Sequence, residues 1–121
     1  MTSDPRRIVT GAAAALESRD AASLVEHYAP VFVFEDIPSG LVITDHGALR
    51  TYFDRLFAGP QSRLVITMIS VGDATGLLEW TWSGVNPRTG DAFEIRGASG
   101  FEFGPDGITR ETLYYDPRPT H

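Results

Sequence analysis

The spacing of apolar residues changes character halfway along the chain. Up to about residue 60 they recur every three to four positions; beyond it they alternate. Asp4 followed by Pro5 reads as the cap and first position of a helix, and Ile8, Val9, Ala12 and Leu16 then share one face. The polar run from Glu17 to Asp20 ends it. A second, short helix is expected from Ala21 to about Tyr28, with Leu24, Val25 and Tyr28 on one side, because Pro30 cannot continue it. The stretch "VFVFEDIPSG" is the opening strand and its turn, followed by the short apolar piece Leu41–Ile43. Thr44 or Asp45 then starts a third helix whose stripe is Leu49, Tyr52, Phe53, Leu56 and Phe57, and Gly59-Pro60 stops it.

From there the period is that of strands. Segments at about Arg63–Val71, Gly76–Val85, Asp91–Phe103 and Gly107–Asp116 are separated by the turn-rich pieces GDATG, NPRTG and GPDG, which predicts an antiparallel meander. The expected fold class is α+β: a curved antiparallel sheet wrapped as a cone around three N-terminal helices, in one domain covering residues 1–121. Alternation assigns the faces. Phe32, Phe34 and Asp36 look inward while Glu35 looks out, so the first strand ends on a buried acid. Leu78, Trp80 and Trp82 look inward on the next long strand but one, as do Ile95, Ser99 and Phe101 on its neighbour. For the last strand the sequence leaves two sets open: Glu111, Leu113 and Tyr115, or Arg110, Thr112, Tyr114 and Asp116.

Composition narrows the chemistry. The 42% hydrophobic and 21% charged residues are those of an ordinary globule, no apolar run approaches the ~20 residues of a membrane span, and no export signal is evident, so a cytoplasmic protein is expected. A net charge of −6 with Arg residues spread evenly argues against nucleic acid. With no Lys and no Cys, Schiff bases, thiolate nucleophiles and disulfides are excluded. His27, His46 and His121 lack the close pairing of metal ligands, so neither a metal nor another cofactor is expected. Carboxylates, hydroxyls, Arg and two internal His remain as tools.

The segments "LVEHYAPVFVFEDIPSG", "HGALRTYFDRLF" and "IRGASGFEFGPDGITRETLYYD" resemble the NTF2-like superfamily, the cone-shaped fold of ketosteroid isomerases, SnoaL-like polyketide cyclases and limonene epoxide hydrolases. The resemblance implies that Asp36 is a general base and that Tyr28 is the tyrosine upstream of it. Burial in an apolar cone would strengthen such a base towards a carbon acid. The carbonyl-polarising donors of the isomerases fall on Ala12 and Ser99, and their third-helix tyrosine on Phe53, so only Ser99 keeps a donor. The last-strand aspartate of the cyclases, and one aspartate of the epoxide hydrolases, fall on Leu113; Glu111 and Arg96 lie close enough to rebuild such a site.

The resemblance and the strand phases together give Asp36, Ser99 and Tyr28 as candidate catalytic residues. Phe34, Tyr52, Phe53, Trp80, Trp82, Phe101, Glu111, Leu113 and Tyr115 are the candidate walls of a cavity for a small hydrophobic carbonyl ligand. The expected activity is that of a cofactor-independent isomerase, cyclase or related lyase. The alternative is a binding or dimerisation module whose cavity its own rings fill. Asp36 also has a plainer role open to it, capping the Pro-Ser-Gly turn. A homodimer through the outer sheet face is expected, since Val65 and Met68 leave apolar surface there.

Overall fold

The computed structural model describes residues 4–120. Helix α1 spans Pro5–Ser18, α2 Ala21–Val25 and α3 His46–Ala58; the strands are β1 (Tyr28–Asp36), β2 (Leu41–Ile43), β3 (Arg63–Val71), β4 (Thr75–Val85), β5 (Ala92–Gly104) and β6 (Gly107–Tyr115). All the strands join one six-stranded sheet in the order β2-β1-β6-β5-β4-β3. The meander from β3 to β6 is antiparallel, as its short turns require. The sheet as a whole is mixed, because β1 lies parallel to β6. That pairing needs a long crossover, and the chain supplies it with β2, α3 and the whole meander.

Helix starts follow the capping chemistry. Asp4 accepts a hydrogen bond from the Arg6 amide at 3.0 Å, Asp20 from that of Ser23 at 3.0 Å, and Asp45 from that of Ala48 at 2.9 Å. One end differs from expectation. The second helix stops at Val25 rather than near Tyr28, because Tyr28 is taken up as the first residue of β1, opposite Ile108 of β6. Pro30 lacks an amide to donate, and it falls where the β1–β6 register shifts between Tyr28 and Val33.

Similar irregularities curve the sheet. The registers shift between Ile66 and Met68 on β3 and between Glu102 and Phe103 on β5, each inserting a bend of the kind that closes a cone. The concave face receives the inward residues named above: Phe32, Phe34 and Asp36 are at most 3% exposed, and Leu78 and Ser99 at most 1%. The open question of the last strand is answered as well, since Glu111 and Leu113 are buried while Tyr114 is 55% exposed. On the opposite face Glu35, beside Val33, pairs with Arg110 at 2.8 Å.

One close approach sets the geometry of the interior. Trp80 lies directly across from Gly97, and a Cβ placed on Gly97 would sit 2.3 Å from Trp80 Cη2. Only glycine lets the indole lie flat on the strand there, which brings Trp80 Nε1 to Ser99 Oγ at 3.0 Å. At Gly100 a Cβ would meet nothing within 4 Å. Gly97→Ala is therefore expected to lower the urea unfolding free energy by roughly 1–3 kcal/mol. Gly100→Ala should change it by less than ~0.5 kcal/mol. Equal effects of the two would show that the Trp80–Gly97 contact constrains nothing.

Candidate functional site

The cone encloses a cavity of about 770 Å³ between α3 and the concave face of the sheet. Its lining is mostly apolar, and into it reach two carboxylates and one aliphatic hydroxyl, those of Asp36, Glu111 and Ser99, each no more than 3% exposed. β1 and β6 position the acids. In the parallel register Glu111 lies opposite Phe34 and Leu113 opposite Asp36, so the acids point inward from neighbouring strands, two residues out of step. Strand spacings put their Cα atoms on the order of 8 Å apart.

Each carboxylate has its own donors. Asp36 accepts from the Tyr52 hydroxyl of α3 at 2.9 Å and from the Tyr115 hydroxyl of β6, which lies 2.8 and 2.9 Å from its two oxygens. The Ser39 amide adds a long contact of 3.4 Å, so the turn-capping role is present too, as a minor one. Both carboxyl oxygens of Asp36 are thus bonded by phenols. Burial first, and then the neighbouring Asp36, hold the hydroxyls of Tyr52 and Tyr115 well above the usual phenol range, so both remain donors.

Glu111 is held differently. Tyr28 donates to its Oε1, and Ser99, which accepts from Trp80 Nε1, is hydrogen-bonded to it as well. Burial outweighs these bonds and pushes the Glu111 carboxyl up to about 7. One cavity thus holds a carboxyl group fixed by two phenols beside an acid that burial pushes up to about 7. Among the described residues no group of three or more His, Cys, Asp or Glu side chains is placed to hold a metal ion.

Of the residues singled out in the sequence, Asp36, Ser99, Tyr52, Phe53, Trp80, Trp82, Glu111, Leu113 and Tyr115 all line this cavity. Three others do not. Tyr28, read as a candidate catalytic residue upstream of Asp36, is buried and bonds Glu111 instead, because its place at the start of β1 aims it across β6. Phe34 is fully buried behind Tyr52 and Phe53, with ring centroids 4.9 and 5.7 Å away, and is core rather than wall. Phe101 stacks on Phe103 at 6.1 Å, likewise outside the cavity.

Sequence reasoning named Tyr52 and Phe53 on α3 but missed Ala48, Thr51, Arg55 and Leu56, which line the cavity at helical spacing beside them; the signal was an apolar stripe widened by one small and two polar residues. His27 is half-buried against Gly11, and this burial holds its pKa below the ordinary range. Asp116 lies outside the site and pairs with Arg118 at 2.6 Å.

The family model of the SnoaL-like domain matches residues 9–111, and the chain belongs to that family. No protein of curated function matches it by sequence. Solved structures share its architecture. An NTF2-like protein from Burkholderia thailandensis is 21% identical with a TM-score of 0.87, over 98% of this chain and 95% of the other. A protein of ketosteroid isomerase-like fold from Catenulispora acidiphila, solved in complex with trimethylamine, is 20% identical with a TM-score of 0.81, over 99% and 91%. A candidate SnoaL-like polyketide cyclase from Shewanella denitrificans is 16% identical with a TM-score of 0.76, over 95% and 92%. At these identities the likeness concerns the fold alone, a curved mixed sheet with helices on its concave side.

The Glu111 proton has a measurable consequence for folding. The folded protein holds it more tightly than the unfolded chain, where the carboxyl titrates near 4.5. The stability it contributes is therefore fully present below about pH 4.5 and is lost as the pH rises through about 7. Unfolding free energies measured across that range should fall in the wild type relative to Glu111→Gln. A difference that stays flat from pH 4.5 to 7 would show that Glu111 is not held protonated by burial.

Proposed function

We propose that the protein is a cofactor-independent acid/base enzyme that moves a proton on a small hydrophobic carbonyl compound, as an isomerase, cyclase or related lyase does. The observation that carries this reading is the pair of buried carboxylates in one aromatic-walled cavity, one with both oxygens accepting and the other balanced between its two protonation states. Such a pair divides the labour of enolisation. Asp36, kept in place by Tyr52 and Tyr115, takes the proton from the carbon next to the carbonyl. Glu111 in its protonated form donates to the carbonyl oxygen as negative charge develops there. The offset between the acids leaves room for a keto–enol unit between them. Trp80, Trp82 and Phe53 exclude water and supply flat apolar walls, and 770 Å³ suits a ligand of a few rings. Ser99 orients Glu111 and is itself oriented by the Trp80 indole. No helix among the described residues is long and apolar enough to cross a membrane.

Deuterium exchange next to the carbonyl of a panel of cyclic ketones tests this reading. Asp36→Asn should lower exchange by about a hundredfold or more, and the wild-type rate should decline as the pH rises through about 7. That decline should be absent in Glu111→Gln, whose rate is lower throughout. Wild-type protein that exchanges no ketone faster than buffer does would leave only the binding reading.

The outer sheet face is the surface we assign to pairing with a second copy. Val65 and Met68, 37% and 39% exposed, stand opposite Thr81 and Glu79, on the face that also carries the 55% exposed Tyr114. Sedimentation at micromolar concentration is expected to give a dimer, and Met68→Arg to give monomer. A wild-type monomer at that concentration would remove the assignment.

A further inference from the structure

The cavity has a polarity along its length that points to the kind of ligand it takes. Its floor carries the two buried acids. Its exposed members, Leu41, Ala48, Thr51 and Arg55, define a rim between β2 and α3. Arg55 is the sole cation among the lining residues. Its helix neighbour Arg50 is engaged, pairing with Asp54 at 3.2 Å, whereas the Arg55 guanidinium makes no ion pair or hydrogen bond among the described residues. Thr51, one turn earlier, has its hydroxyl committed to the Gly47 carbonyl at 3.1 Å, which leaves Arg55 as the free strong donor of the rim. Tyr52, whose hydroxyl touches Asp36, precedes Arg55 by three residues, about 4.5 Å along the helix axis. A ligand with one end at Asp36 therefore needs to extend only a ring or two to reach the guanidinium.

We propose that the hydrophobic carbonyl substrate carries a carboxylate at the end remote from its reacting carbon, and that Arg55 binds this carboxylate at the rim. The inference rests on the proposed reading of the cavity as a site for carbonyl compounds. The charges explain the orientation: an anionic end is repelled from the floor by Asp36 and drawn to the rim by Arg55, which presents the neutral carbonyl end to the two acids. The planar guanidinium meets a carboxylate through two parallel N–H bonds. An ester of the same shape offers it no charge.

Quenching of Trp80 and Trp82, which both line the cavity, reports binding independently of turnover. The probes are a tetralone bearing a short carboxylate tail and its methyl ester, titrated against wild type, Arg55→Met and Arg55→Lys. The acid is expected to bind the wild type about tenfold more tightly than the ester, less so in high salt. Arg55→Met should erase this preference while leaving ester affinity unchanged, and Arg55→Lys should keep part of it. Equal binding of acid and ester by the wild type, or a preference that survives in Arg55→Met, overturns the inference and leaves the carbonyl site standing. Wild type that binds neither compound overturns both. Binding with the expected preference but without deuterium exchange supports the rim assignment and removes the catalytic reading alone.

Discussion

The interior depends on hydroxyl groups reaching two acids that would otherwise be too costly to bury. A carboxylate taken out of water without partners loses several kcal/mol of solvation, which is a sizeable share of the stability of a domain this small. Here Tyr52 and Tyr115 converge on Asp36, while Tyr28 and Ser99 converge on Glu111. These four residues come from α3, β6, β1 and β5. Closing the cone is therefore the same event as satisfying the acids. Among the described residues no buried side-chain nitrogen or oxygen lacks a hydrogen-bond partner, so the polar interior is complete without a ligand.

That completeness leaves the acids chemically unlike each other. Asp36 sits at the end of β1, beside the turn, and three side-chain and backbone donors surround its oxygens. Glu111 lies mid-strand between Phe34 and Phe101, where desolvation is stronger than the two bonds it receives. Position along neighbouring strands, rather than residue type, separates a carboxyl bonded by two phenols from one that burial pushes upward. The aromatic walls reinforce the difference by lowering the local dielectric around both.

The remaining polarity follows from how α3 crosses the mouth of the cone. One face of that helix places Tyr52 and Phe53 inside and lets Thr51 and Arg55 stand at the edge, so a single element contributes to both floor and rim. Capping by Asp45 and termination at Gly59 fix where this face begins and ends. Small residues elsewhere have a comparable reach. Gly97 admits the Trp80 indole, the indole orients Ser99, and Ser99 meets Glu111.

The alternation of β4 and β5, the stripe of α3 and the starts of the first and third helices at Asp4 and Asp45 were legible in the chain because each has a physical cause that lies within a few residues. So was the burial of Asp36, which follows from the phase of Phe32 and Phe34. What the chain could not reveal by itself were the long-range pairings: that Tyr28 would leave its helix for a strand and bond Glu111, that Tyr115 would turn to Asp36, and that Phe34 and Phe101 would be core rather than wall. The two tyrosine contacts depend on β1 lying parallel to β6, a pairing of segments far apart in sequence whose register decides which side chains meet, and the two phenylalanines on how their strands pack against neighbouring rings. Local periodicity determined the elements and their inward faces; only the closed sheet decided which hydroxyl meets which acid, because hydrogen bonding is set by position in space and not by distance along the chain.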